Sequence, residues 1–160
     1  MTRRISKGSR ISWALGALLL VSGIALAKEE PLPPQFKYAG GTEKLSEGCE
    51  GNLELNPQAM AFKCLGSAIE VPYSAITLMQ YRSSISRKVR RMKVKWKVRP
   101  NDVSPILGAK KNRFFTVVYR VEGKPRIMIL RVQPKVMRPY LAELDLRSEK
   151  RVEVEGYEEY

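Results

Sequence analysis

Histidine is absent from all 160 residues. The side chain that titrates nearest neutral pH is therefore missing, and with it the commonest general base, proton shuttle and metal ligand. Ser83, Ser84 and Ser86 have no imidazole to activate them, and no motif supports a serine–lysine pair of Ser86 with Lys88. Acids are scarce through the middle of the chain. Between residues 55 and 142 only Glu70, Asp102 and Glu122 occur, and they are not spaced as an acid/base pair. The run "GAKKNR" lacks the strand–glycine–helix setting of a phosphate loop. No catalytic, cofactor-binding or metal-binding residue is assigned, and the expectation is a non-enzymatic protein without a cofactor. Cysteine is scarce too, with Cys49 and Cys64 alone.

Long apolar stretches are limited to one. Ile11 to Ala27, "ISWALGALLLVSGIALA", carries no charge and follows Arg3, Arg4, Lys7 and Arg10. It closes on Ala25-Leu26-Ala27, and charged Lys28-Glu29-Glu30 comes next. A basic start, a short apolar run and an A-x-A end are the parts of a secretory signal peptide. Its 17 residues fall short of the roughly 20 that a spanning helix needs. Residues 1–27 therefore read as a signal peptide removed near Ala27, which predicts a periplasmic or secreted chain; the alternative is an uncleaved N-terminal anchor. In an oxidising compartment two cysteines point to one disulfide rather than to a redox or zinc site.

Charge is abundant but unevenly placed. Residues 28–54 hold three lysines against six glutamates, residues 55–142 hold 19 cations against three acids, and residues 143–160 hold three cations against seven acids. A basic middle between acidic ends attracts polyanions, unless the ends fold back over it.

Residues 28–48 contain Pro31, Pro33, Pro34, Gly40, Gly41 and Gly48 and read as a flexible lead-in. From Gly51 a period of two begins. Leu53 and Leu55 alternate with Asn52 and Glu54, Asn56-Pro57-Gln58 supplies a turn, and Met60 and Phe62 resume the rhythm, which predicts a β-hairpin. If Leu55 faces Met60, Cys49 and Cys64 lie one step out of register, so a bulge would bring them together. Ile69 and Val71 mark another strand, ended by Pro72. Ile76, Leu78 and Gln80 lie on one face of the next, with Met79 and Tyr81 on the other. "RSSISRKVRR" reads as a polar connection.

In "RRMKVKWKVRP", Met92, Val94, Trp96 and Val98 alternate with Arg91, Lys93, Lys95, Lys97 and Arg99. This predicts a strand with one apolar and one cationic face. Five cations on alternate positions span about 26 Å. The strands "RFFTVVYRV" and "RIMILRV" flank a Glu122-Gly123 turn and alternate weakly, as strands covered on both faces do. Val136, Met137, Tyr140, Leu141 and Leu144 recur at three and four and predict an amphipathic helix, whose regular part starts at Pro139. A short strand over Arg151 to Glu155 and an acidic tail, 156–160, end the chain.

The segments "GNLELNPQAMAFKC", "IEVPYSAITLMQY", "KKNRFFTVVYRV" and "MRPYLAELDLRSEKRVEVE" resemble exported bacterial proteins of the pleckstrin-homology-like family, across residues 49–155. The resemblance implies a mainly β fold, a bent seven-stranded barrel or sandwich capped by one C-terminal α-helix. It also implies binding of lipids, peptides or proteins rather than catalysis. The first hairpin loop, Leu55 to Ala59, lacks a cation, so the resemblance does not carry a phosphoinositide pocket to that position.

The candidate anion-binding face is Arg91, Lys93, Lys95, Lys97 and Arg99. An anionic membrane surface or an acidic protein is the expected partner. Nucleic acid is the weaker reading, since stacking aromatics between the charges are missing. The alternative is a structural or oligomer-forming envelope protein whose basic face is only solvated, with lysines guarding an edge strand and the acidic tail laid against them.

Overall fold

The computed structural model describes residues 33, 35–100 and 113–156. Among them the hairpin has the cleanest alternation of apolar and polar residues. Strand β2 (Glu50–Leu55) pairs with β3 (Ala59–Cys64), and Leu55 faces Met60. Strand β4 (Ser67–Pro72) adds to β3, with Ile69 and Val71 buried and Glu70 exposed. A 3-10 turn at Tyr73–Ala75 leads into β5 (Ile76–Arg82).

Cys49 and Cys64 are bonded, with Cα atoms 6.0 Å apart. The bulge expected from the sequence is not needed. Cys64 faces Gly51, and Cys49 lies two residues before Gly51, on the same side of the chain. The bridge is thus a diagonal one across the hairpin base.

Two strand assignments differ from the sequence reading. Phe36–Gly41, inside the stretch read as a flexible lead-in, is strand β1. It pairs with β2 on one side and with β7 (Lys124–Val132) on the other. Its Phe36 and Tyr38 are fully buried, so burial orders it despite flanking proline and glycine. Conversely, Arg91–Arg99 is extended but, among the described residues, joins no ladder beyond one isolated bridge, Val98 to Gly41. Its alternation reflects protein beneath and water above.

Strand β6 (Arg113–Val121) pairs with β7 along its whole length and with β5 on its other edge. Helix α2 (Pro134–Ser148) follows, and β8 (Glu153–Val154) runs parallel to β5. The helix starts at Pro134 rather than at Pro139. Pro134 takes the first helical position, Met137, fully buried in the first turns, anchors that start, and Pro139 sits inside the helix at an exposed position.

The strand order is β4-β3-β2-β1-β7-β6-β5-β8. Seven strands precede α2, as the sequence implied, but β1 has replaced the basic segment among them. The sheet is mainly antiparallel and open, not a closed barrel: β4 forms one end of the order and β8 the other. Two apolar clusters hold it. In the larger, Phe36, Leu53, Phe62, Val71, Met79, Phe115 and Leu130 from seven strands meet Met137, Leu141 and Leu144 of α2. Phe36 also meets Tyr140 edge to face, with centroids 5.2 Å apart. The smaller lies on the opposite face of β6 and β7, around Phe114, Val118, Ile127 and Ile129. This is why β6 and β7 alternate so weakly in sequence. A bulge between Ile76 and Leu78 moves Ile76 onto the Met79 and Tyr81 face. The sequence reading had placed Ile76 with Leu78.

Candidate anion-binding surface

The basic segment is set in place from both of its ends. At its start, Ser86 caps the short helix α1 (Arg87–Arg90), its Oγ accepting from the Val89 N–H at 3.4 Å. Ile85 and Val89 are buried in the smaller cluster, one on each side of that cap. The sequence reading took this stretch for a purely polar connection. A serine three residues before an apolar one, with an isoleucine four before it, was the available signal. Ser86 Oγ also donates to Gln80 Oε1 at 2.7 Å, and Gln80 Nε2 donates to Glu153 Oε2 at 2.6 Å. A buried amide on β5 thereby joins β8 to the head of the basic segment.

Beyond α1, the backbone bonds to itself at short range. The Val94 N–H donates to Met92 O at 2.9 Å and the Trp96 N–H to Val94 O at 3.2 Å. Side chains still alternate. Met92, Val94 and Trp96 pack, half-buried, on the smaller cluster, and Val98 packs on the larger one. Arg91, Lys93, Lys95, Lys97 and Arg99 are all exposed, as are Arg87, Lys88 and Arg90. At the far end, the Lys97 and Val98 N–H groups donate to Gly41 O, and the Gly41 N–H returns a bond to Val98 O at 2.9 Å. Glycine is required there. A Cβ on Gly40 would lie 2.9 Å from both Val98 O and Pro100 N, and its φ of +153° disfavours a side chain.

The structure therefore leaves the five predicted cations exposed at alternate positions, and Arg87, Lys88 and Arg90 of α1 are exposed just before them. Cations elsewhere are commonly paired: Lys37 with Glu50, Lys63 with Glu54, Arg126 with Glu43, Arg147 with Glu143, and Arg82 and Arg113 with Glu155. Among the described residues, Arg87, Lys88, Arg91, Lys93, Lys95, Lys97 and Arg99 have no such partner. The acidic end of the chain does not cover them as far as it is described. Glu153 lies on Gln80 and Glu155 on Arg82, Ser83 and Arg113. Glu158 and Glu159 fall outside the described residues, as do the signal-peptide reading and the loop 101–112.

Ser83 holds the Glu155 carboxyl below its ordinary value, first through the backbone N–H at 2.9 Å and then through its hydroxyl, with Arg82 and Arg113 adding to the effect. A carboxyl lowered in the folded state contributes stability above its unfolded value of 4.5, and that contribution is lost as pH falls through the folded value. Chemical denaturation at a series of pH values below 5 is expected to show this loss. Glu155→Gln should flatten the profile there, and an unchanged slope would contradict the assignment.

A second polar group, the half-buried Glu43, lies just past the end of β1. Glu43 Oε1 accepts from Tyr119 OH at 2.8 Å and from Thr42 Oγ1 at 3.1 Å, and Tyr38 OH donates to Glu43 O at 3.4 Å. Burial pushes the Tyr38 phenol up to about 12, with the Glu43 charge adding to it, and raises Tyr119 further. Both phenols are therefore neutral donors, and the Tyr119 bond pins the stretch after β1 to β6. Sequence reasoning missed this network, which spans 76 residues between Glu43 and Tyr119.

Among the described residues no cluster of acids and cysteines is arranged to hold a metal ion, and no helix is long and apolar enough to cross a membrane. The disulfide points to a non-reducing compartment. Neither a protein-family model nor a curated protein matches the chain.

Proposed function

We propose that this chain is an exported, non-catalytic binding module that rests on anionic lipid surfaces through the basic segment Arg87–Arg99. One observation carries the reading: seven exposed cations in a row, without a carboxylate partner among the described residues. A protein that needed these charges only for solubility gains nothing from crowding them into one short stretch, where they repel one another. Lipid head groups relieve that repulsion, each nearby cation contributing about 1 kcal/mol. The apolar flank of the same segment, Met92 to Val98, is occupied by the sheet, so the contact is electrostatic.

The finer fold reading supports a binding role. Seven strands in chain order, then one helix packed on their shared core, accord with what the resemblance to pleckstrin-homology-like proteins implies. The leader at 1–27 and the disulfide support export.

Co-sedimentation with vesicles of neutral phosphatidylcholine, with and without phosphatidylglycerol, tests the function. Binding is expected only with the anionic lipid and is expected to fall steeply as salt shortens the Debye length from about 10 Å at 0.1 M to about 3 Å at 1 M. Equal pelleting with neutral vesicles would overturn the reading. Capture by an acidic polypeptide but not by anionic vesicles would move it to a protein partner.

A further inference from the structure

One edge of the sheet is left open at β4. Its six residues pair with β3 without a bulge, and no other strand borders it among the described residues. Cys64 and Ser67 flank a two-residue turn, and the Tyr73 N–H donates to Gln58 O at 3.0 Å. Both observations fix the phase of the ladder. Ser67, Ile69 and Val71 bond to β3, so Ala68 and Glu70 turn their N–H and C=O groups outward. Edge strands are ordinarily guarded by lysine, proline or a bulge. In β4 the proline comes only at the last residue, Pro72, and Glu70 is the sole charge.

The turn before this edge carries a cost that the single chain does not recover. Leu65 holds φ at +42° and Gly66 at +75°, in the left-handed region that asparagine and glycine fill in such turns. Leu65 gains no packing in return, since it is 89% exposed. A shallow concavity of about 470 Å³ beside it is lined by Asn52, Lys63, Leu65 and Ala68, among others. Lys63 sits opposite Ala68 in the ladder. Glu70, two residues further on, is exposed and has no ion-pair partner among the described residues.

We propose that β4 is a dimerisation edge, which pairs antiparallel with β4 of a second copy of this chain. Charge sets the register. With Ile69 on the two-fold axis, Ala68 faces the second copy's Glu70, and each such pair exchanges two outward hydrogen bonds. Lys63, Ala68 and that Glu70 then stand in one row on the solvent face. Lys63 and the glutamate are two strand spacings apart, about 10 Å between backbones. The small Ala68 between them leaves the concavity open, so the two long side chains meet across it. Other registers lose this match. One sets Glu70 against Glu70, like charges directly opposite; another sets Ala68 against Ala68 and leaves Glu70 beside the turn. In the chosen register Leu65 reaches the end of the second copy's β4, next to its exposed Pro72. The contact uses neither the basic segment nor its lipid reading. One six-residue strand per copy is a small interface, so the dimer is weak and concentration-dependent.

Sedimentation equilibrium of the purified protein, over a concentration series up to about 1 mM, tests this. A reversible dimer is expected. Ala68→Pro removes an outward N–H from each copy without touching the β3 ladder, and should weaken the dimer about tenfold or more. Leu65→Asn should weaken it too, at an equal or higher melting temperature, because asparagine tolerates positive φ. Glu70→Lys brings two lysines together and should weaken it by a similar factor. Adding Lys63→Glu to Glu70→Lys should restore it, which guards against a folding artefact. A protein that stays monomeric throughout the series would overturn the proposal, and an Ala68 amide that then shifts on adding an extended peptide would give the edge to a foreign strand. A dimer that survives Ala68→Pro would overturn it as well. If such a dimer is instead lost when Lys93, Lys95 and Lys97 become glutamate, the contact lies on the basic segment.

Discussion

Replacing Lys93, Lys95 and Lys97 together by glutamate is expected to abolish binding to phosphatidylglycerol vesicles. Three cations near head groups contribute about 3 kcal/mol, which is roughly a hundredfold in affinity, and reversal adds repulsion to that loss. The fold is expected to survive, because the three side chains are exposed and among the described residues none has an ion-pair partner to strand. The matched control is Lys37→Glu with Lys63→Glu, two exposed lysines that already pair with Glu50 and Glu54. That pair should change vesicle binding far less. Co-sedimentation beside a thermal melt checks both halves. A triple variant that stays bound, at unchanged melting temperature, would remove the basic segment from the contact.

Removing the disulfide gives the second large effect. Cys49 and Cys64 are separated by 15 residues. A closed loop of that length stabilises by about 3 kcal/mol in the chain-entropy account. Both residues are buried and belong to the larger core, so Cys49→Ala with Cys64→Ala also loses packing. The double variant should therefore lose at least about 3 kcal/mol in urea unfolding. A loss below about 1 kcal/mol would mean that the β2–β3 hairpin is held in register by its ladder alone.

What the sequence disclosed follows from the range of each interaction. The β2–β3 hairpin was legible to the residue because Leu53, Leu55, Met60 and Phe62 alternate around a proline turn. The cysteine pairing was legible for the same reason, although its diagonal geometry was not. Strand β1 stayed hidden. Six residues, two of them glycine, carry little pattern, and the partner that orders them, β7, lies about 90 residues away. The basic segment was read correctly as to which side chains face water, yet wrongly as a strand. A period of two reports sidedness, and a half-covered extended chain has the same sidedness as a paired strand. The five cations were therefore visible in advance. Their moorings were not, because Gly41 with Val98, Gln80 with Glu153 and Ser83 with Glu155 each join distant positions.

Strand β1 has a consequence for the order in which the protein is made. It forms part of the sheet's middle, between β2 and β7, so its second edge stays unfilled until residue 132 has emerged from the ribosome. The β2–β3–β4 meander forms early from local contacts, whereas the β1–β7 union waits for nearly the entire polypeptide. The seam at the middle of the sheet is thus the last to close, and a chain halted before Lys124 would leave β1 with one edge bare.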